Sequence, residues 1–191
     1  MNLFPFFEDI TGKTFLLVGG GRIATEKLEK LRMFTDDIIV VAEETALSAE
    51  EGPAAGIREV RVRAFEDDDL DGIDYCIGAT NDRALNRRVS KLCRERHIPV
   101  NIVDDAELCT FIFPSIVKRG DLVAAVTTAG KSPAFGQYVR KTLEKELPED
   151  TEQILDELFA LKTKLKETEP DQKERARQLK AYLRERVAWD E

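Results

Sequence analysis

Apolar residues fall along this chain in two alternating rhythms. Thr14–Val18, Ile38–Ala42, Ile73–Ala79 and Ile98–Val103 are short, nearly continuous apolar runs, the second rich in β-branched residues. Such runs predict strands covered on both faces. Ile57–Val62 alternates apolar and polar positions and predicts a half-exposed strand. Between the runs the period becomes helical. Ile23–Phe34 carries Ile23, Leu28 and Leu31, and Asp82–Arg96 carries Leu85, Val89, Leu92 and Cys93 on one stripe. A further short helix is expected over Thr45–Gly52. Strand and helix in this alternation predict an α/β fold, an N-terminal Rossmann-type doubly wound parallel sheet.

The rhythm changes near residue 110. Phe111–Val117 and Leu122–Thr127 are two strand-like runs separated by Lys118-Arg119-Gly120-Asp121, the spacing of a hairpin. Ser132 then stands as an N-cap with Pro133 as the first residue of a helix reaching about Leu147. Beyond Pro148 the chain reads as helix, broken by Pro170. Leu155, Leu158, Phe159 and Leu165 give one piece an apolar face, and Tyr182, Leu183, Val187 and Trp189 serve the other. The expected organisation is a Rossmann domain over 1–110, a small α+β region over 111–147, and a C-terminal helical domain over 148–191.

Composition narrows the function. With 191 residues and 42% hydrophobic content the chain can bury one sizeable core and a smaller appendage. A formal charge of −8 argues against nucleic acid as a partner. No apolar run approaches the roughly 20 residues that span a bilayer. Glu8 and Asp9 end the short apolar start, so no signal peptide is expected. Cys76, Cys93 and Cys109 are scattered and odd in number, which fits reduced thiols in a cytoplasmic protein. They lack metal-site spacing, and His97 is the sole histidine, read as a surface or packing residue.

Candidate chemistry gathers at the ends of the expected strands. Gly19-Gly20-Gly21-Arg22-Ile23-Ala24 follows the first strand and opens the first helix, matching the dinucleotide fingerprint G-x-G-x-x-G/A. Gly19 and Gly21 allow a tight turn and close approach of a ligand, Ala24 allows close helix–strand packing, and the helix N-terminus favours a phosphate. Glu43, with Glu44 behind it, stands where an acidic residue binds the adenosine ribose and disfavours a 2′-phosphate, or else forms a solvated turn. Thr80 and Asn81 offer hydrogen bonds at the end of the fourth strand, where Asn81 or Asp82 equally suits a helix cap. Asp104 and Asp105 end the fifth strand, where a carboxylate serves as general base or as a turn cap. On extended backbone only one of them would face the cleft. Thr127–Pro133 is small, polar and basic, suited to holding carboxylates or simply to a capped loop.

Together and in this order, these motifs resemble the precorrin-2 dehydrogenase family, including the dehydrogenase/ferrochelatase portion of sirohaem synthases. The resemblance rests on Phe4-Pro5-Phe6-Phe7, Val18 to Ala24 with Lys27, Ala79-Thr80-Asn81-Asp82, Asn86, Asn101-Ile102-Val103-Asp104, Phe111 to Ser115, and Gly130-Lys131-Ser132-Pro133. It implies NAD-dependent oxidation of precorrin-2 to sirohydrochlorin, with Asp104 catalytic, and leaves open insertion of iron or cobalt. It implies a homodimer whose exchange surface is the region Phe111–Leu147. It also implies a local cluster for the substrate's carboxylates, for which Thr128, Lys131, Ser132 and Arg119 are the candidates. A tetrapyrrole carrier or chelatase without dehydrogenase activity is the alternative. Thr35-Asp36-Asp37 and Ala42-Glu43 depart from the family's usual Gly-Ala and Ala-Pro. The assignment of Glu43 to the ribose therefore comes from general Rossmann physics. The chain ends without the methyltransferase domain of some fused relatives, so formation of precorrin-2 itself is not expected of it.

Overall fold

The apolar runs become a five-stranded parallel sheet in a computed structural model that describes residues 3–45 and 56–187. The strands are β1 (Phe15–Val18), β2 (Ile38–Ala42), β3 (Glu59–Val62), β4 (Tyr75–Gly78) and β5 (Val100–Ile102), in spatial order β3-β2-β1-β4-β5. The order reverses between β1 and β4, so a crevice opens beyond their carboxyl ends. The helix expected over Thr45–Gly52 and the contribution of Trp189 lie outside the described residues.

Helix α1 (Arg22–Leu31) covers one face of the sheet through Ala24, Leu28 and Leu31, packed with Leu17, Val40 and Ile77. Helix α2 (Arg83–Glu95) covers the opposite face through Val89 and Cys93, packed with Leu16, Val41 and Val100. Asp82 starts α2 by accepting hydrogen bonds from the Ala84 and Leu85 N–H groups at 2.7 and 3.1 Å. His97 ends it in the left-handed conformation, φ 57°, while the Ile98 N–H reaches back to the Cys93 carbonyl at 2.8 Å. This is the Schellman geometry, so His97 serves the helix terminus. The bend after β3 is fixed by Asp69, whose buried carboxylate accepts hydrogen bonds from Arg61, Arg63 and the Glu66 N–H.

The chain divides into two compact units, 1–113 and 114–191. In the second, β6 (Ser115–Arg119) and β7 (Leu122–Val126) form an antiparallel hairpin. Arg119 pairs with Leu122, so the turn is the two residues Gly120-Asp121 rather than the expected four. Phe111 and Phe113, expected at the start of this hairpin, instead pack on the α1 face of the first unit, with Phe111 edge-on to Tyr75. Helix α3 (Pro133–Glu146) begins at the Ser132 cap, where Ser132 Oγ accepts the Phe135 N–H at 3.2 Å. Helices α4 (Thr151–Thr168) and α5 (Gln172–Arg186) follow. They are joined by Tyr182 donating to Glu157 and by Arg186 pairing with Asp150 at 3.1 Å. Among the described residues no helix is long and apolar enough to cross a membrane.

Candidate functional site

The crevice beyond the sheet is a cleft of about 1750 Å³, lined by the β1–α1 turn, the end of β2, Arg63–Phe65, residues 79–88 and residues 102–105. Its volume exceeds the few hundred to about a thousand Å³ of an ordinary small-ligand pocket.

The three glycines of the β1–α1 turn divide the work among themselves. Gly19 has φ 121°, and a Cβ there would lie 2.5 Å from the Ala79 carbonyl oxygen. A Cβ on Gly20 would lie 2.1 Å from the Glu44 carbonyl oxygen. Both are glycine because protein backbone passes against them. Gly21 differs. Its backbone is extended (φ −78°, ψ 179°), and a Cβ there would meet nothing within 4 Å. Gly21 is the N-cap of α1, with no side chain capping the helix and no acidic residue in its first turn. The free N–H groups and the positive end of the helix dipole therefore face open space, the arrangement that binds a pyrophosphate. Arg22 and Ile23 line the same opening, while Ala24 is buried against the sheet. Of the two glycines expected to make the tight turn, Gly19 has the positive φ, whereas the extended Gly21 does not.

Glu43 and Glu44 are exposed at the end of β2 and line the cleft. At the end of β4, Thr80 and Asn86 hold each other. Thr80 Oγ1 and Asn86 Oδ1 are 2.8 Å apart, and Asn86 Nδ2 donates to the Thr80 carbonyl at 2.9 Å. Asp82 is the helix cap, whereas Asn81 stays exposed on the cleft wall. Asn86 thus positions the loop from within the core.

Beyond β5 the backbone turns. The Val103 N–H bonds the Gly78 carbonyl at 2.9 Å, and Asp104 takes the left-handed conformation with φ 61°. A residue other than glycine there costs about 1 kcal/mol, a strain that concentrates at functional positions. Asp104 is exposed and Asp105 half-buried, and both border the cleft. The expectation that only one would do so assumed extended backbone, which the turn at Asp104 removes. Cys109 holds this turn. Its sulfur lies 3.2 Å from both the Ile102 and Asp105 carbonyls, which share its single S–H donor, and accepts the Ile102 N–H at 3.1 Å. Burial pushes this thiol's pKa up, which keeps it a neutral donor. Asn101, buried, fastens the following segment by donating to the Phe111 carbonyl at 3.0 Å.

Lys27 also belongs to this neighbourhood. Its ammonium lies 4.3 Å from the centre of the Phe113 ring. Burial lowers its pKa, with Lys30 adding to the effect and Asp104 opposing it. Spacing alone hides this, because a lysine on an amphipathic helix normally faces solvent.

In the second unit Thr128 and Ser132 are brought together. Thr128 Oγ1 accepts the Ser132 N–H and lies 3.1 Å from the Ser132 carbonyl, which it reaches as donor. The intervening Ala129 and Gly130 are left-handed at φ 54° and 81°, and Lys131 is exposed on the loop. Arg119 is not part of this group. It sits at the opposite end of the hairpin, about 13 Å away along the strand, and donates to the Glu144 carbonyl at 3.0 Å near the end of α3.

The profile of the family described as "Putative NAD(P)-binding" matches residues 6–115. The siroheme synthase of Vesicomyosocius okutanii is 38% identical over 152 residues, which cover 78% of this chain and 32% of that protein. The siroheme synthase of Azotobacter vinelandii is 34% identical over 191 residues, 100% of this chain and 39% of that protein. This chain thus spans about a third of the length of these curated relatives. A solved structure of "SirC, precorrin-2 dehydrogenase" superposes with a TM-score of 0.71 at 24% identity, over 94% of this chain and 88% of that one. At that identity the likeness establishes the fold.

Proposed function

We infer that this chain, which belongs to that NAD(P)-binding family, is an NAD-dependent dehydrogenase that oxidises precorrin-2 to sirohydrochlorin. The observation that carries this reading is the pairing of two features in one cleft. Gly21 leaves a helix N-terminus open to a phosphate, and the strained Asp104 stands across the strand ends from it. The alignments to siroheme synthases support the choice of substrate.

In this reading Gly19, Gly20 and Gly21, with Arg22, Ile23 and Ala24, form the cradle for the cofactor's pyrophosphate. Glu43 binds the adenosine ribose, which favours NAD over NADP. Thr80 and Asn81 orient the reactive end of the cofactor. When bound, the nicotinamide accepts the hydride that leaves the macrocycle. Conjugation extends as one proton is also lost, and Asp104 takes that proton or orients the ring for its loss. Thr128, Lys131 and Ser132 hold substrate carboxylates through a hydroxyl, backbone N–H groups and an ammonium.

We further propose a homodimer formed through the second unit, supported by Phe135, Tyr138 and Phe159 at 59, 64 and 70% exposure. A cytoplasmic location is supported by the three free thiols.

The test is anaerobic turnover with purified protein, freshly made precorrin-2 and NAD+. Stoichiometric NADH and sirohydrochlorin are expected. Tetrapyrrole binding without NADH formation overturns the dehydrogenase reading in favour of a carrier or chelatase. Adding Fe2+ or Co2+ then reads out chelatase activity against a protein-free control.

A further inference from the structure

Lys27 extends from the second turn of α1, one turn past Ile23, which lines the cleft. Lys27 itself does not border the cleft. Its side chain is half-buried against the Phe113 ring, and it makes no hydrogen bond or ion pair with a described residue. An aromatic face attracts an ammonium but leaves its three N–H donors without oxygen acceptors. Asp104 favours the charged form through space yet forms no ion pair with it. A half-buried cation with unfilled donors beside a reactive carboxylate is complementary to an incoming anion.

Two ligands share this region in the function proposed above, and position separates them. A cofactor confined to the cleft has its phosphates at Gly21 and does not reach Lys27. A larger ligand that lies over the end of the cofactor and spreads across Phe113 does. We propose that Lys27 and Phe113 form a substrate platform in which the ammonium binds a peripheral carboxylate of the tetrapyrrole and the ring supports its apolar edge. The platform sets the macrocycle's orientation over Asp104 and leaves the Asp104 carboxylate unpaired for proton transfer. This inference rests on precorrin-2 being the substrate.

Lys27→Met keeps the aliphatic packing and removes the charge. It is expected to raise the KM for precorrin-2 about tenfold or more, the scale of one charge-assisted hydrogen bond. The affinity for NAD+ should not change, and Lys27→Arg should restore most of the KM effect. Binding of sirohydrochlorin, followed by its absorbance without turnover, should weaken in parallel. Thermal unfolding of both variants separates this from loss of fold. Unchanged KM and unchanged sirohydrochlorin binding in a folded Lys27→Met protein overturn the platform, as does an effect confined to NAD+ affinity. Absence of NADH formation by the wild-type protein defeats the dehydrogenase reading instead, and sirohydrochlorin binding still decides on Lys27.

Discussion

The two units of this chain solve burial in opposite ways. In the first, every residue of β1 and β2 is buried, because α1 and α2 cover both faces of the sheet. In the second, Val117, Ile154 and Leu165 are the buried apolar residues among those described, while Phe135, Tyr138 and Phe159 face outward. The helices there are tied by polar contacts such as Arg186 with Asp150. Exposed pairs of this kind contribute little, whereas each buried aliphatic side chain contributes roughly 1.5–3 kcal/mol. Apolar exposure is not confined to the second unit, since Phe4, Phe6 and Phe7 of the first are 84, 73 and 72% exposed; what separates the two is the size of the buried core. The second buries few apolar side chains, and the homodimer proposed above would cover its exposed rings.

The largest expected effect sharpens this contrast at Gly21. Gly21→Asp should abolish NAD+ binding, since a carboxylate would stand against the pyrophosphate, yet the melting temperature should hold because the space is open. Gly20→Ala should do the reverse and destabilise the first unit, its Cβ meeting backbone. Calorimetry with and without NAD+ separates the two, and equal loss of stability in both variants would erase the distinction. Next in size, Asp104→Ala should slow oxidation by about a hundredfold, with NAD+ affinity retained in a binding titration. A third effect belongs to the second unit. Phe135→Glu combined with Tyr138→Glu should shift the protein to monomers in sedimentation experiments without altering NAD+ affinity, and an unchanged mass would remove these rings from the interface.

The smallest effect concerns acid stability of the first unit. Burial pushes the Asp69 carboxyl up, but hydrogen bonds from Arg63, the Glu66 N–H and Arg61 outweigh it and hold the pKa at about 2. Because the folded value lies below the ordinary one, the stabilisation is complete above about pH 4 and disappears as the pH falls toward 2. It amounts to about 2 kcal/mol. Asp69→Asn should flatten this part of the stability–pH curve, and a curve unchanged from wild type would show that other carboxylates govern it.

Legibility in the sequence depended on the range of the contacts that fix each position. The buried strands were readable because continuous β-branched and aliphatic runs leave few alternatives, and Ser132-Pro133 marked a helix start by its own chemistry. Phe111 and Phe113 misled, since an apolar run has the same appearance whether it pairs as a strand or lies as cover over a sheet. Lys27 entered only through the family resemblance and without a role, because what distinguishes it is Phe113, 86 positions along the chain. Arg119 looked like part of a basic cluster until the hairpin register carried it to the far end. Long-range partners decide such positions, and no local period encodes them.

The left-handed backbone at Asp104 has a consequence for selection. Glycine is the residue that this conformation favours, so Asp104→Gly should raise the melting temperature while removing the carboxylate. On the role proposed for Asp104, a library sorted only for heat resistance would enrich glycine at this position and drift toward a sturdier protein that has lost its base. Persistence of aspartate under selection for turnover, and its disappearance under selection for stability alone, would be the evolutionary signature of a working base.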